Sequence, residues 1–311
     1  MQFRKLGSTG IEVAPLVLGG NVFGWTADRD TSFALLDAFL DAGFNAIDTA
    51  DVYSIFVPGH KGGESETMIG EWMKDRGVRD RVVLITKGGL PMGEGMKGLG
   101  RDYLLRACEA SLKRLQTDHV EVYMSHRADA SVPIEATLEA YQELIDAGKV
   151  RHAGASNYTA EELDEAITAG GHGLARYAVF QPHYNLAERG LYEGATEDLC
   201  AQHGLGVITY FSLGAGFLTG KYRSKADIAG RARAGSAAPY MNERGFALLD
   251  AMEAVADRHG ATMAQVALAW LMARPSIAAP IASATSTDQL ADILKAADLQ
   301  LTAEDMAALD S

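Results

Sequence analysis

Cysteine is scarce in this chain. There are two in 311 residues, Cys108 and Cys200. Both fall in helical-looking, apolar segments, so a disulfide-stapled fold is excluded and buried thiols in a reducing, cytoplasmic setting are expected. No apolar run approaches the ~18 residues that a membrane span needs. The opening stretch MQFRKLGSTGIEV lacks an apolar h-region and a cleavage site, which argues against a signal peptide. Positive charge is also in deficit: 28 Lys and Arg against 41 Asp and Glu leave a net charge of −13 at pH 7. That balance disfavours nucleic acid or an anionic membrane as the main partner. Three chemical signatures are missing as well. There is no GxSxG elbow for a nucleophile, no set of metal ligands, and no GxGxxG turn, since the first strand-like run leads into GGNVFG.

What is present is a core-sized supply of apolar residues, 48% of the chain, arranged as a regular alternation. Eight short strand-like runs cover 13–19, 45–50, 81–87, 119–126, 150–156, 177–184, 206–213 and 278–284. They are mostly apolar rather than alternating, as strands covered on both faces should be. Amphipathic helical patterns separate them, several ending in Gly. With no linker-like break, eight βα units predict one (β/α)8 TIM barrel domain over residues 1–311. A doubly wound sheet is the alternative, disfavoured by the missing dinucleotide fingerprint. Residues 1–12 are expected to form a hairpin plugging the barrel floor, with STG as its turn. The stretch 214–240 and extra helices near 243–259 and after Thr302 interrupt or extend the repeat.

Four chemically complementary side chains fall at corresponding strand exits. Asp48 follows NAIDTA, Tyr53 lies just beyond it, Lys87 closes VVLITKG, and His126 closes VEVYMSH. Each alone has an ordinary structural explanation. In a parallel barrel, however, strand exits converge on one pocket. A phenol with an ordinary pKa of about 10 is a poor proton carrier at neutral pH. An ammonium alongside is expected to lower that value, with Asp48 holding Lys87 charged. A neutral His126 can fix a carbonyl oxygen near Tyr53. This equipment protonates a carbonyl oxygen while a hydride from elsewhere attacks its carbon.

These residues and their surroundings resemble the aldo-keto reductases over nearly the whole chain. The matching segments are NAIDTADVYS, GGESETMIGEWM, ITKGG, SHRAD, GKVRHAGASNYT, QPHYNLAERG, ITYFSLGAGFLTGKY and IASATSTDQLADIL. The resemblance implies that Asp48, Tyr53, Lys87 and His126 form a catalytic tetrad. It implies that Ser156, Asn157 and Gln181 hold a nicotinamide carboxamide and that Tyr210 stacks on the ring. The Gly-rich run containing Ser212, Leu213, Gly214 and Gly216 fails the P-loop spacing, yet can offer backbone N–H groups to a pyrophosphate. Lys221, Arg223, Lys225, Arg231 and Arg233 follow as a cationic clasp.

The last motif bears on the choice of nucleotide. Family members with a tight 2′-phosphate site often carry Lys or Arg where this chain has Ser283 and Gln289, and Asp292 stands where an acid commonly meets the adenine amine. Ser283, Thr285, Gln289 and a helix N-terminus near Thr287 still offer hydrogen bonds. NADP(H) is therefore favoured, with NAD(H) as the alternative. Trp25, Phe56 and Met92, together with Phe23, Val57 and Leu90, are expected to line a pocket for a small carbonyl or alcohol. His60 and Lys61 stand on the same loops. Two other functions compete with a reductase: a cofactor-sensing regulatory protein of the same fold, and a hydrolase using paired carboxylates. The latter lacks a second carboxylate at a strand exit.

Overall fold

The computed structural model describes residues 1–224, 226–228, 230 and 234–311. Two short strands, β1 (Arg4–Lys5) and β2 (Glu12–Val13), pair antiparallel as an N-terminal hairpin. Eight parallel strands then close into a barrel: β3 (Val17–Gly19), β4 (Ala46–Asp48), β5 (Val83–Gly88), β6 (Val120–Ser125), β7 (Val150–Ser156), β8 (Tyr177–Gln181), β9 (Gly206–Thr209) and β10 (Ala279–Ala282). Each pairs with its chain neighbour, and β10 closes the ring by pairing with β3, Ile281 opposite Val17. All eight predicted runs thus contain a barrel strand. Most strands are shorter than the apolar runs suggest, and two lose four residues each. Pro15, which has no N–H to donate, separates β2 from β3, so 13–19 is not one strand. At the other, Phe211 turns to a φ of 55° and ends β9 well before residue 213.

Helices surround the barrel: α1 (Arg29–Asp41), α2 (Glu64–Arg76), α3 (Arg101–Leu115), α4 (Ile134–Asp146), α5 (Ala160–Ala169), α6 (Ala195–His203), the one-turn α7 (Ala234–Ala237), α8 (Glu243–His259), α9 (Met263–Ala273), α10 (Thr287–Leu294) and α11 (Ala303–Asp310). Their starts follow local chemistry. Thr159 with Glu162, Thr262 with Gln265, and Thr302 with Asp305 form reciprocal capping boxes on α5, α9 and α11. The extra helices predicted near 243–259 and after Thr302 are α8 and α11. No helix among the described residues is long and apolar enough to cross a membrane.

Strand parity divides the core into two layers. Leu18, Ile47, Leu84, Tyr123, Phe180 and Val207 face outward and belong to the large cluster shared with the helices. Their neighbours Val17, Ala46, Ile85, Val122, Met124, Val179, Ile208, Ala279 and Ile281 fill the barrel interior. Leu6 of the hairpin, fully buried, joins this inner cluster from below. The hairpin sits at the start of β9: Ser8 N–H donates to Gly204 O at 3.0 Å, and a Cβ on Gly206 would lie 2.6 Å from the Leu6 backbone. Glycine is required there because two backbones touch. Inside the barrel, Gly154 plays a similar part: a Cβ would meet Met124 Cε and Val179 O at 2.9 Å.

Candidate active site

Two residues further along each strand, the inward series changes from apolar to chemical. Val17 leads to Gly19, Ala46 to Asp48, Ile85 to Lys87, Met124 to His126, Gly154 to Ser156, Val179 to Gln181, Ile208 to Tyr210 and Ile281 to Ser283. Period-two parity therefore places one residue from each strand in a single layer at the C-terminal mouth. Seven of these eight line one cavity of about 670 Å³; Lys87 lies behind Asp48.

Asp48 is the hub of this layer. Its Oδ1 accepts from Lys87 Nζ at 2.6 Å and from Gln181 Nε2 at 2.8 Å. Its Oδ2 accepts from Lys87 Nζ at 2.8 Å and from the Tyr53 hydroxyl at 3.3 Å. Lys87 Nζ also donates to Thr49 O at 2.8 Å, so three acceptors surround it. Asp48 and Lys87 are 2% and 1% exposed, which makes this a buried ion pair with every partner in place. Burial pulls the Lys87 ammonium below its ordinary range, and the Asp48 carboxylate opposes that fall.

Tyr53 reaches this hub from the loop after β4. Lys87 Nζ lies 5.0 Å from its ring centroid, and the His126 ring meets it edge-on at 6.1 Å. The phenol differs from the sequence expectation in one respect. Its pKa is pushed well above 10.0, first by burial and then by the adjacent Asp48 carboxylate. The Lys87 ammonium, paired with Asp48, does not reverse that rise. The arrangement holds Tyr53 as a neutral O–H donor. His126 is buried, and desolvation, the Lys87 ammonium and the Arg127 guanidinium push its pKa well below 6.5. It is a neutral imidazole whose buried Nδ1 has no partner in the described protein.

The amide and hydroxyl groups on the far side of the hub are knitted together. Ser156 Oγ donates to Gln181 O at 2.9 Å, and Asn157 Nδ2 donates to His126 O at 2.9 Å. Asn157 Oδ1 accepts from the Tyr210 hydroxyl at 2.5 Å. Asn157 takes a left-handed φ of 56°, and the helix cap next to it is Thr159 rather than Asn157. Tyr210 stacks on His183, centroids 5.3 Å apart.

Beyond Tyr210 the backbone turns tightly, with positive φ at Phe211, Gly214, Ala215 and Gly216. Ser212, Leu213, Ala215, Gly216 and Lys221 line the cavity; Gly214 supports the turn from behind. The Lys221 ammonium packs against Gly216, and a Cβ there would lie 2.8 Å from Nζ. Arg223 leaves the expected clasp: it pairs with Asp250 and Glu253 of α8, both at 2.8 Å. Lys225, Arg231 and Arg233 lie outside the described residues.

Ser283, Thr285, Gln289 and Asp292 complete the far end of the cavity. Ser283 Oγ donates to Asn21 Oδ1 at 2.7 Å. Gln289 Oε1 accepts from the Thr285 N–H and hydroxyl, both at 3.0 Å. Asp292 accepts from Thr262 Oγ1 at 2.9 Å and Gln265 Nε2 at 2.7 Å.

Trp25, Phe56 and Met92 do not belong to the cavity wall. Trp25 and Phe56 pack edge-to-face at 4.8 Å, and Met92 packs over Gly62. Leu90 does line the cavity, as do two residues that sequence reasoning passed over, Asn21 and Arg127. Arg127 directly follows the exit residue His126 within SHRAD, and Asn21 lies two residues past the end of β3 within GGNVFG; those positions were the available signal.

An eight-stranded parallel barrel with a buried Asp–Lys pair, a phenol and an imidazole at its C-terminal mouth has the architecture of a barrel oxidoreductase. Comparison with known proteins agrees. The sequence profile of the Aldo/keto reductase family matches residues 15–311. The chain is 35% identical to a "Probable voltage-gated potassium channel subunit beta" of Oryza sativa subsp. japonica, over 96% of this chain and 92% of that protein. It is 34% identical to "Uncharacterized oxidoreductase YrpG" of Bacillus subtilis (98% and 93%) and 31% identical to "Aldo-keto reductase YhdN" of the same organism (98% and 91%). This chain belongs to the aldo/keto reductase family.

Proposed function

We propose that this protein is an NAD(P)H-dependent carbonyl reductase, or an alcohol dehydrogenase when run in reverse, with Tyr53 as the proton donor. The observation that carries the reading is the convergence of Tyr53 and Lys87 on the Asp48 carboxylate, with the His126 ring edge-on to Tyr53.

The cavity fits a nicotinamide dinucleotide by the chemistry of its walls. Ser156, Asn157 and Gln181 would hold the carboxamide; the Gln181 nitrogen is occupied by Asp48, which leaves its carbonyl oxygen to accept. Tyr210 would flank the ring. The turn at Ser212–Gly216 and Lys221 would meet the phosphates, and Ser283, Thr285, Gln289 and Asp292 the adenosine end. Reduced nicotinamide, when bound, supplies a hydride.

The chain's own residues do the rest. Tyr53, held neutral by burial and by Asp48, gives its hydroxyl proton to the carbonyl oxygen as negative charge develops there. His126, uncharged, donates a hydrogen bond to the same oxygen and orients it. Lys87 stabilises the phenolate left behind, and Asp48 keeps that ammonium charged in a dry site. NADP(H) is the favoured nucleotide because Ser283, Thr285 and Gln289 can hydrogen-bond a 2′-phosphate beside the α10 N-terminus. Two buried free thiols, Cys108 and Cys200, suit a reducing cytoplasm.

Tyr53→Phe tests the reading. It removes the donated proton and leaves the cofactor walls intact. Reduction of a small aldehyde by NADPH should fall at least about 10²-fold, with NADPH binding by fluorescence titration nearly unchanged. Turnover close to wild type would overturn the role of Tyr53. A second reading, a cofactor-sensing regulatory subunit, draws support from the channel-subunit relative. Steady turnover of any carbonyl by the isolated protein argues against it.

A further inference from the structure

A second cavity of about 810 Å³ adjoins the reaction cavity, and Leu90 and Arg127 belong to the walls of both. Its wall also carries Lys97, Arg101, Tyr103 and Arg106. Four cations on one concave surface are notable in a chain of net charge −13.

Their pairing matters more than their number. Arg101 is committed to Glu143 at 2.6 Å and Asp102 at 3.0 Å. Among the described residues, no carboxylate lies within ion-pair distance of Lys97, Arg106 or Arg127. Nine other arginines, at 29, 76, 79, 114, 151, 189, 223, 258 and 274, have such a partner. Arg4, Arg81, Arg176 and Arg244, which lie outside this wall, have none among the described residues, so it is the grouping of three unpaired cations on one wall that sets this site apart. The remaining acid on this wall is Asp129. Its oxygens accept from Leu99 N at 2.9 Å, Ser131 N at 3.0 Å and Ser131 Oγ at 2.6 Å. Lys97 adds a weaker pull on it. Arg127 is the nearest of the three to the chemistry: it follows His126 in the chain, and its charge is felt by both His126 and Tyr210.

We propose that the carbonyl substrate is itself an anion, a phosphate ester or a carboxylate, whose charged group is held by Arg127 with Arg106 and Lys97 while its carbonyl meets Tyr53. The inference rests on the reductase reading above and names its substrate class. The physical reasons are local. A guanidinium presents a planar fork that matches both oxyanions. A cluster of one sign in a concave site concentrates counter-ions even when the whole surface repels them. A carbonyl placed at Tyr53 with its anionic end toward Arg127 lies along the shared wall.

The test compares paired substrates with NADPH: 4-carboxybenzaldehyde against 4-nitrobenzaldehyde, and glyceraldehyde 3-phosphate against glyceraldehyde. The wild type should favour the charged member of at least one pair in kcat/KM, and the preferred pair tells carboxylate from phosphate. Arg127→Met should reduce that preference at least roughly tenfold, the scale of one lost charge-assisted hydrogen bond, mainly through KM. Arg127→Lys should keep part of it. A preference that Arg127→Met leaves intact would show these cations to be solvated rim charges and overturn the inference. If the wild type reduces neutral aldehydes without favouring either anion, the inference falls and the reductase reading stands. If it reduces none of the four, both fall.

Discussion

Asp48 holds four hydrogen bonds from three side chains, and the lone ammonium among them decides its behaviour. Removing Lys87 leaves a buried carboxylate without its counter-charge. Lys87→Met should therefore cost about 3–5 kcal/mol in urea unfolding, as for other broken buried pairs. Asp48→Asn combined with Lys87→Met removes both charges and should recover most of that loss. A double variant as unstable as the single one would mean that packing, not charge, is responsible. The same burial sets a pH profile. His126 has its pKa lowered, so its neutral form persists at 6.5 and above; Tyr53 has its raised, so its protonated form persists through 10.0. Reduction should accordingly be flat in kcat across that window, whereas an inflection inside it would require one of the two assignments to change. Residue types at strand exits were enough to find the four groups. Their pKa directions were not, because the shift of Tyr53 depends on its burial and on how close the Asp48 carboxylate lies, a matter of distances.

At the level of elements, strands and loops differ in how much they disclose. Every barrel strand is marked by an apolar run, and period-two parity then fixes which exits face inward. Loops have no period. Trp25, Phe56 and Met92 look like pocket walls by composition, yet Trp25 and Phe56 pack on each other and Met92 on Gly62. Arg127 was passed over for the same reason, although it stands beside a residue chosen for its chemistry. The β10–α10 junction is intermediate. Ser286 caps α10, and Gln289 folds its oxygen back onto Thr285. A 2′-phosphate there would meet only neutral donors and a helix N-terminus. Gln289→Arg should tighten NADPH roughly ten- to hundredfold and leave NADH nearly unchanged, by adding one charge-assisted hydrogen bond. Equal weakening of both nucleotides in a fluorescence titration would place residue 289 away from the 2′ position, with the lost Thr285 contact as the cause.

The molecule as a whole separates stability from chemistry along the barrel axis. Chemical side chains crowd the C-terminal mouth, while at the floor Leu6 shares one buried apolar cluster with Val13, Val17 and Ile208. Closure through β10 and β3 ties the first βα unit to the last, and we propose that residues 1–311 are one domain that unfolds in one step. Leu6→Ala examines both ideas at once. The side chain is fully buried, and the barrel around it cannot collapse inward without breaking strand pairing. Loss of stability should reach about 2–5 kcal/mol, the range for emptying a buried leucine site. The kcat and KM for carbonyl reduction, measured well below the unfolding temperature, should match wild type because the floor lies at the opposite end from Tyr53. A single, earlier transition seen alike by circular dichroism and tryptophan fluorescence is the expected trace. Two separated transitions would mean that the hairpin end and the mouth unfold independently, and a fall in kcat without a change in stability would mean that the floor reaches the reacting layer through Met124 and its neighbours.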